Sequence, residues 1–356
     1  MQIKKRLFIL VAVALSTTVL FQNCGHTEFG SESNSDTKST QSNSTGQPYD
    51  GKVFVASTMN CPDGTYIQSR LVLNTATSAT IVRENCQNVN FELNAGDFSL
   101  DAANSDIISY KNQTFVKEKP WTPIPILSSW NHQLTGILKA SSALVQDIDL
   151  FETSSAQIQN MKNSGKTVIC NVSAGTFENW RPDAGAFNAS DLGNNVSGSN
   201  SEKWLDTRSA SVRSILLSRL QLAKNKGCDG VDLESSDGYA NNSGFSLSRV
   251  TQIEYNRFLA FAAHDLRLIV ALKNNADLIS NLVQSYDLAI AEECFQYNEC
   301  DRYSPFIKAG KAVLLAEYAP YSQASCQWAQ AASMSLNYFS RNLDGSRDEA
   351  CRAGSQ

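Results

Sequence analysis

The chain has 356 residues, with 30 Lys or Arg against 35 Asp or Glu, for a formal net charge of −5. That length suits one large domain, or a large domain with a smaller one. The acidic balance, and the lack of a basic stripe interleaved with aromatic residues, argue against nucleic acid as a partner.

The first 23 residues predict export. Lys4, Lys5 and Arg6 precede an apolar stretch at 7–20 that is too short to span a bilayer, so residues 1–23 are predicted to be a removed signal peptide. This segment holds three basic and no acidic residues, so its removal leaves a charge of about −8.

Residues 24–48 predict a lipid anchor and a tether. Cys24 lies where a bacterial lipoprotein carries its acylated cysteine, although Asn23 before it is larger than usual. Residues 26–48 contain almost no apolar side chain and cannot bury enough surface to fold. We predict anchoring to the bacterial envelope, with the outer membrane favoured because Gly25 is not an aspartate retention signal. The alternative is an ordinary secretory signal with an unpaired cysteine nearby.

Residues 49–119 predict a small β-rich region. Short β-prone runs are separated by turn signals such as Asp63-Gly64 and Ala95-Gly96-Asp97. This region is interpreted as a cap on the domain that follows, and the alternative is an accessory carbohydrate-binding module.

Residues 120–345 alternate apolar runs of strand length with segments of helical period. The helix predicted between Arg208 and Lys226, for example, stops at Gly227. Such alternation predicts an α/β fold, a (β/α)8 TIM barrel, followed by a tail at 346–356. A doubly wound sheet would need a glycine-rich phosphate loop after its first strand, and none is visible. The eight predicted strands are Ser128–Gly136, Ala143–Phe151, Thr167–Gly175, Gly230–Glu234, Arg267–Asn274, Leu288–Cys294, Ala312–Tyr318 and Ser335–Ser340.

The cysteines predict disulfides. With Cys24 set aside eight remain, and an even number in an exported protein fits paired thiols. Neither a metal nor another cofactor is predicted, because the chain has three histidines and no C-x-x-C pair. Proximity along the chain favours the pairs Cys61–Cys86, Cys294–Cys300 and Cys326–Cys351.

Charged side chains end or follow six successive predicted strands. In a barrel these ends share one mouth, where catalytic residues lie. The sequence has no G-x-S-x-G elbow and no histidine cluster, whereas paired carboxylates are what hydrolysis of a glycosidic bond requires. The charged groups are Asp147, Asp149, Glu178, Arg181, Asp232, Glu234, Asp237, Lys273, Glu292, Glu293 and Glu317.

Four aromatic residues lie near the same strand ends. Trp130, Tyr239, Tyr297 and Tyr318 are candidates for stacking on sugar rings. For each of them, packing in the barrel wall is the simpler interpretation.

Six segments together resemble the glycoside hydrolase 114 family of endo-α-1,4-polygalactosaminidases, over residues 120–345. A single segment would be weak support, but six in the same order are specific. They are Trp130-Asn131-His132-Gln133-Leu134-Thr135-Gly136, Val168–Gly175 with Glu178-Asn179-Trp180-Arg181-Pro182, Lys203-Trp204-Leu205-Asp206, Gly227-Cys228-Asp229-Gly230-Val231-Asp232, Ala271-Leu272-Lys273-Asn274, and Glu292–Cys300.

The resemblance implies a TIM-barrel hydrolase. Its expected substrate is a polysaccharide containing α-1,4-linked galactosamine or N-acetylgalactosamine, and the acidic balance of the chain would suit a cationic form of this polymer. The family pair is an Asp after the fourth strand and a Glu after the sixth, and the sixth-strand position here is Glu292. The resemblance also implies that Asp149, Lys273 and Glu317 line the sugar site. Asp232, Asp237, Tyr318 and Trp130 are further candidates for contacting the substrate, because they lie at or near the same strand ends. Asn171 stands where the family usually has Tyr.

The fourth-strand position departs from the family pattern because Glu234 stands in place of Asp. The extra methylene moves the carboxylate oxygens by about an ångström, and such a shift can cost about a hundredfold in rate. Three interpretations remain open: Glu234 still acts, Asp232 or Asp237 replaces it, or the protein is a catalytically weak carbohydrate-binding envelope lipoprotein. The first is favoured, since the other charged residues of the mouth are present.

Overall fold

The computed structural model of the protein describes residues 52–60, 66–75, 78–84, 87–100, 102, 107–111, 113–117 and 124–351. The predicted signal peptide, Cys24, the tether and the Cys61–Cys86 pair therefore lie outside the described residues. Among the helices of the described part, none combines the length and the apolar character needed to cross a bilayer.

The N-terminal region is an antiparallel sheet, which confirms the predicted β-rich character. Its strands lie in the order β4-β3-β2-β1-β7-β6-β5. Leu71, Ile81, Ile108 and Phe115 belong to a separate apolar core in this sheet. The strands are β1 (Lys52–Asn60), β2 (Tyr66–Thr75), β3 (Ser78–Glu84), β4 (Gln87–Asn94), β5 (Phe98–Leu100), β6 (Ile107–Tyr110) and β7 (Gln113–Lys117).

The remaining elements alternate strands with helices. In chain order they are β8 (Trp130–Gln133), β9 (Val145–Asp149), α1 (Ser155–Asn163), β10 (Thr167–Ser173), β11 (Thr176–Glu178), β12 (Leu192–Asn195), β13 (Glu202–Leu205), α2 (Ala210–Lys226), β14 (Gly230–Glu234), α3 (Arg249–Asp265), β15 (Ile269–Lys273), α4 (Ile279–Leu282), β16 (Leu288–Glu292), α5 (Ser304–Lys308), β17 (Val313–Glu317), α6 (Gln323–Ala331), β18 (Ser335–Phe339) and β19 (Asp348–Ala350).

The long sheet is a nearly closed barrel. β8, β9, β10 and β14 to β18 are parallel neighbours in that order, and β19 adds antiparallel to β18. Across the seam, Asn337 Nδ2 donates to the carbonyl of Trp130 at 2.8 Å, and the Leu134 amide donates to the carbonyl of Leu343 at 2.9 Å. The predicted TIM barrel and all eight of its strands are confirmed.

Local sequence signals set the ends of the helices. Ser154 and Ser248 form capping boxes at the starts of α1 and α3, where they accept from otherwise unpaired amides. Gly227 ends α2 with a φ of 92°, a left-handed conformation that glycine adopts without strain, as its position after Lys226 predicts.

Two connections differ from the predicted alternation. Among the described residues, no helix lies between β8 and β9. The chain turns at Gly136 (φ 73°) after β8, and the amides of Leu134 and Thr135 donate to the carbonyl of Leu343 in the loop after β18. After β10 the chain forms a small antiparallel sheet of β11, β12 and β13, which was not predicted. These strands are only three or four residues long, too short for a clear period-2 signal.

Within the described part of the chain, three disulfides cross-link the barrel domain. Cys294–Cys300 and Cys326–Cys351 are confirmed, and both close short sequence intervals. The third, Cys170–Cys228, joins residues 58 positions apart. Proximity along the chain missed it, because parallel pairing of β10 with β14 is what brings these two cysteines together.

The barrel strands divide their side chains between two faces. Alternate residues such as Val168, Val231 and Leu272 point outward and pack beneath the helices. The other set fills the interior with an apolar layer that includes Ile169 and Leu314. Toward the carboxyl ends of the strands this interior set becomes polar.

Candidate active site

Six interior side chains form a polar layer towards the barrel mouth, and all of them except Glu292 are buried. Each comes from a different strand, and five of them follow an apolar residue two positions earlier on the same face, while Asp232 follows Gly230. A buried charge is tolerated only when it is paired, so their partners define the chemistry of the layer. The six are His132, Asp147, Asn171, Asp232, Lys273 and Glu292.

Glu292 has polar partners on three sides. Its Oε1 accepts from the Tyr318 hydroxyl and lies 3.5 Å from His132 Nε2, while its Oε2 lies 3.6 Å from Lys273 Nζ. Burial favours the neutral acid, but Lys273, His132 and Tyr318 together outweigh it and hold the pKa of Glu292 well below its usual range. Glu292 is therefore ionised at neutral pH.

Asp232 lies beneath the mouth, beside the same lysine. Its Oδ2 accepts from Lys273 Nζ at 3.0 Å and from Asn171 Nδ2 at 3.1 Å, and the side chain is fully buried. Burial raises the pKa of Asp232 to about 7, against the lowering effect of Lys273. Burial also opposes the charge on Lys273, yet Asp232 and Glu292 raise the pKa of the lysine well above its usual value.

His132 and Asp147 form a second buried pair in this layer. His132 Nδ1 lies 2.8 Å from Asp147 Oδ2, and both side chains have no exposed surface. Burial disfavours the imidazolium, but Asp147 outweighs this effect and the pKa of His132 rises to about 9. His132 thus presents a positive charge towards Glu292.

The His132–Asp147 pair predicts a pH-dependent stability. A pKa raised in the folded state gives stability that is present below the unfolded value of about 6.5 and is lost as pH rises through about 9. We expect the free energy of unfolding to fall by about 2 kcal/mol between pH 7 and 9, measured by urea titration. His132→Gln should remove this slope, and an equal slope in that variant would contradict the assignment.

A cavity of about 290 Å³ opens above the buried layer. Glu234 and Glu292 both line it, with Lys273 and Tyr318 between them, so the two predicted catalytic carboxylates share one site. Asp237 also lines the cavity, and burial raises its pKa. The full lining is Ser173, Thr176, Glu178, Val196, Glu202, Glu234, Ser235, Ser236, Asp237, Lys273, Asn274, Glu292, Glu293, Tyr318, Arg341, Asn342 and Leu343.

Three strands turn sharply where they reach this cavity. Ser235, Asn274 and Glu293 follow Glu234, Lys273 and Glu292 directly, and have φ values of 58°, 52° and 56°. Residues other than glycine rarely adopt this left-handed region, and such strain clusters at functional sites. Asn274 also accepts from the Glu292 amide through its Oδ1 at 2.9 Å, which fixes the backbone of Glu292.

Gly175 allows β10 and β14 to approach closely beside Glu234. A Cβ added at this glycine would lie 1.9 Å from the carbonyl oxygen of Ser235. Because the Ala174 amide donates to the Glu234 carbonyl at 2.8 Å, any displacement here would move Glu234 as well.

Gly175→Ala is therefore expected to lower kcat about a hundredfold and to cost about 1–3 kcal/mol of stability. Gly185→Ala is the matched control, since a Cβ at that glycine has no described atom within 4 Å. Steady-state kinetics and thermal unfolding would test both variants. Equal activity in the two variants would contradict the close approach.

Several predicted site residues lie elsewhere. The Asp149 carboxylate is held by Arg181 through two hydrogen bonds of 2.9 and 2.7 Å, and Arg181 also bonds Glu178 at 2.7 Å. Asp149 and Glu317 are not among the described residues that line the cavity, and Glu317 accepts from the Phe295 amide at 2.9 Å. Asp232 is buried too deeply to line it.

The predicted aromatic residues divide between wall and mouth. Trp130 has no exposed surface, and its ring packs edge-on against Phe339 and tilted against His132, so the structure corrects its predicted sugar contact to a packing role. Tyr297 is 63% exposed and lies outside the cavity lining. Tyr318 does line the cavity, as predicted, and its hydroxyl contacts Glu292.

His132, Asp147 and Asn171 were missed as site residues. Each lies two positions from an interior apolar residue on its strand, and this period-2 alignment is the signal that would have found them. The sequence pattern placed Asp147 only among the charges at the strand ends, and it placed His132 only within the family-like segment that begins at Trp130.

A parallel barrel that presents several carboxylates around a cavity at the carboxyl ends of its strands has the architecture of a glycosidase. The comparisons with known proteins agree. The chain belongs to glycoside-hydrolase family GH114, which matches residues 110–355.

The solved structures that are similar to the chain include Ega3 and a domain of PelA. Ega3 from Aspergillus fumigatus, in complex with galactosamine, is 37% identical with a TM-score of 0.63, over 66% of this chain and 99% of that chain. The glycoside hydrolase domain of PelA from Pseudomonas aeruginosa shares the fold at 14% identity, with a TM-score of 0.51, over 61% of this chain and 96% of that chain. No curated protein matches the chain.

Proposed function

We propose that this glycosidase hydrolyses polysaccharide containing α-1,4-linked galactosamine or N-acetylgalactosamine, with Glu234 and Glu292 as its carboxylate pair. The observation that carries the proposal is that both carboxylates line one cavity at the barrel mouth. The similarity to Ega3, whose structure holds galactosamine, supports an amino sugar as the substrate unit.

The charge of the cavity supports a cationic substrate. Among the described lining residues, six are carboxylates, namely Glu178, Glu202, Glu234, Asp237, Glu292 and Glu293, and two are cations, namely Lys273 and Arg341. Lys273 is buried with Asp232, and Arg341 pairs with Glu293 at 2.6 Å. The cavity therefore attracts the ammonium group of a deacetylated galactosamine.

The environment of Glu292 indicates the role of this carboxylate. Glu292 is held ionised by Lys273 and His132, so it acts as the nucleophile or the general base. The proton for the leaving oxygen must then come from a second carboxyl of the cavity, and we assign this role to Glu234 because it stands at the fourth-strand position of the family pair. Asp232 cannot replace Glu234, because it is fully buried and bonded to Lys273 and Asn171.

Variants of Glu234 test this assignment. Glu234→Gln keeps the size of the side chain but cannot deliver a proton, so we expect kcat to fall about 10²- to 10⁴-fold. Glu234→Asp restores the family residue on a backbone shaped for Glu, and should retain more activity than Glu234→Gln. Reducing ends released from a galactosamine polymer are the readout. Full activity in Glu234→Gln would show that Glu234 is not the general acid, and Asp237 would then be assigned that role.

The proposal would be overturned if the protein bound the polymer without cleaving it. It would retain galactosamine polymer on a column yet release no reducing ends on long incubation. The wild-type protein and Glu234→Gln would then behave alike in both assays.

We also propose that the mature protein is lipid-anchored at Cys24 to the bacterial envelope, at the outer membrane. The support is the sequence alone: a basic and apolar leader, the cysteine, and the polar segment 26–48. Cys24→Ala should move the protein from the membrane fraction to the soluble fraction and abolish labelling by a fatty-acid probe. Unchanged partitioning would contradict the anchor.

A further inference from the structure

We propose that His132 and Asp147 are positioning residues that return Glu292 to its ionised form after each turnover. Asp147 holds a proton on the imidazole, and the resulting imidazolium faces Glu292 from inside the barrel. This inference rests on the proposed role of Glu292 as a reacting carboxylate, and it assigns a function to a buried pair that does not line the cavity.

The three groups are close neighbours inside the barrel. Asp147 Oδ2 lies 2.8 Å from His132 Nδ1, and His132 Nε2 lies 3.5 Å from Glu292 Oε1. Neither imidazole nitrogen has hydrogen-bond geometry in the structure, so the three groups interact through their charges at these distances. Neither His132 nor Asp147 has exposed side-chain surface, whereas 18% of the Glu292 side chain is exposed.

The charged groups around His132 come from four strands. Asp147 on β9 and Glu292 on β16 stabilise the imidazolium, Lys273 on β15 opposes it, and Asp232 on β14 also interacts with it. The rings of Trp130 and Phe339 cover its sides, with centroids 5.6 and 5.9 Å from the imidazole. In this water-poor setting charges interact more strongly than they do in solvent.

The polar layer therefore contains two pairs of the same design. In each pair a carboxylate lies beside a cation that also approaches Glu292, namely Lys273 with Asp232 and His132 with Asp147. Lys273 divides its charge between Asp232 and Glu292. His132 supplies the second positive charge, and Asp147 balances that charge.

This arrangement of charges contributes at the step of the reaction in which Glu292 regains its negative charge. During hydrolysis Glu292 loses its negative charge, either by bonding to the sugar carbon or by accepting a proton from water. The step that follows restores the carboxylate: either water replaces the Glu292 oxygen at the sugar carbon and gives its proton to Glu234, or protonated Glu292 releases its proton to bulk water. An imidazolium beside Oε1 stabilises the carboxylate that forms. Asp147 keeps the proton on His132, so the imidazolium provides charge and does not transfer the proton to Glu292.

Asp147→Asn is the direct test, and Asp287→Asn is its matched control. Asp287 Oδ2 lies 3.0 Å from His264 Nε2, so the control changes a second buried His–Asp pair that does not line the cavity. We expect the acid limb of the kcat profile, which reports the ionisation of Glu292, to move up by at least one pH unit in Asp147→Asn alone. This shift corresponds to a loss of about tenfold on the acid side of the pH optimum. KM should change little, because neither residue of the pair can touch sugar.

A second measurement keeps the test decisive if Asp147→Asn does not fold. The imidazole of His132 can be titrated by NMR in the wild-type protein and in Glu292→Gln, and its pKa should fall in the variant. This readout needs no turnover, so it separates failure of the inference from failure of the proposed hydrolysis. An unshifted His132 titration, or identical kcat profiles for Asp147→Asn and Asp287→Asn, would overturn the inference.

Discussion

Replacing Glu292 with Gln is expected to lower kcat/KM by about 10⁴-fold, the largest effect of any single change at the mouth. The amide keeps the size of the side chain and can still accept from the Tyr318 hydroxyl. It cannot carry the negative charge that Lys273 and His132 stabilise, so neither attack on the sugar carbon nor activation of water remains available. Release of reducing ends from galactosamine polymer measures the loss.

The matched control is Glu254→Gln, the same change on α3, where Glu254 pairs with Arg213 at 3.1 Å away from the cavity. It should keep nearly full activity. Circular dichroism and thermal unfolding should show that Glu292→Gln folds. A well-folded Glu292→Gln with more than a tenth of wild-type activity would remove Glu292 from the reaction.

Lys273→Met is expected to damage both stability and activity. The lysine is buried, and its removal leaves Asp232 and Glu292 without their shared cation. Breaking a buried ion pair from one side costs about 3–5 kcal/mol, because the remaining charge is uncompensated. The pKa values of both carboxyls should rise, and kcat/KM should fall about a hundredfold or more.

Lys162→Met provides the comparison for this change. Lys162 pairs with Asp229 at 2.7 Å, and both side chains are about a third exposed, so the loss should stay below about 1 kcal/mol. Urea unfolding of the two variants gives the difference directly. Equal stabilities would show that the buried lysine does not compensate the charges of the polar layer.

The barrel was predictable from the sequence because its signals are local and repeated. Each strand is a short apolar run, and its end is marked by a charged or turn residue, as at Glu234 and Glu292. The β14 strand matches its predicted limits, and the others differ by a few residues where strands fray into loops.

The structure brings part of the predicted site together around one cavity and places other predicted residues outside it. Charged residues at the strand ends located the mouth, yet Asp232 and Glu234, two residues apart on one face of β14, lie at different levels. Trp130 was expected at the mouth but lies in the barrel interior, since it begins β8 rather than ending it. The direction of each strand decides which of its polar residues reach substrate.

Contacts between distant segments could not be predicted from one sequence. Asp149 was predicted to line the sugar site, and in the structure its carboxylate forms an ion pair with Arg181. Nothing in the local sequence around either residue indicates this ion pair. The Cys170–Cys228 disulfide likewise depends on which strands become neighbours. Both features follow from tertiary pairing and not from propensity.

The most direct test of this account is the incubation of purified wild-type protein with a defined polymer of α-1,4-linked galactosamine. A double variant, Glu234→Gln with Glu292→Gln, serves as the inactive reference. We predict that the wild-type protein releases oligosaccharides with new reducing ends, while the folded double variant releases none. Failure of the wild-type protein to cleave, or equal cleavage by the double variant, would contradict a hydrolase acting through these two carboxylates.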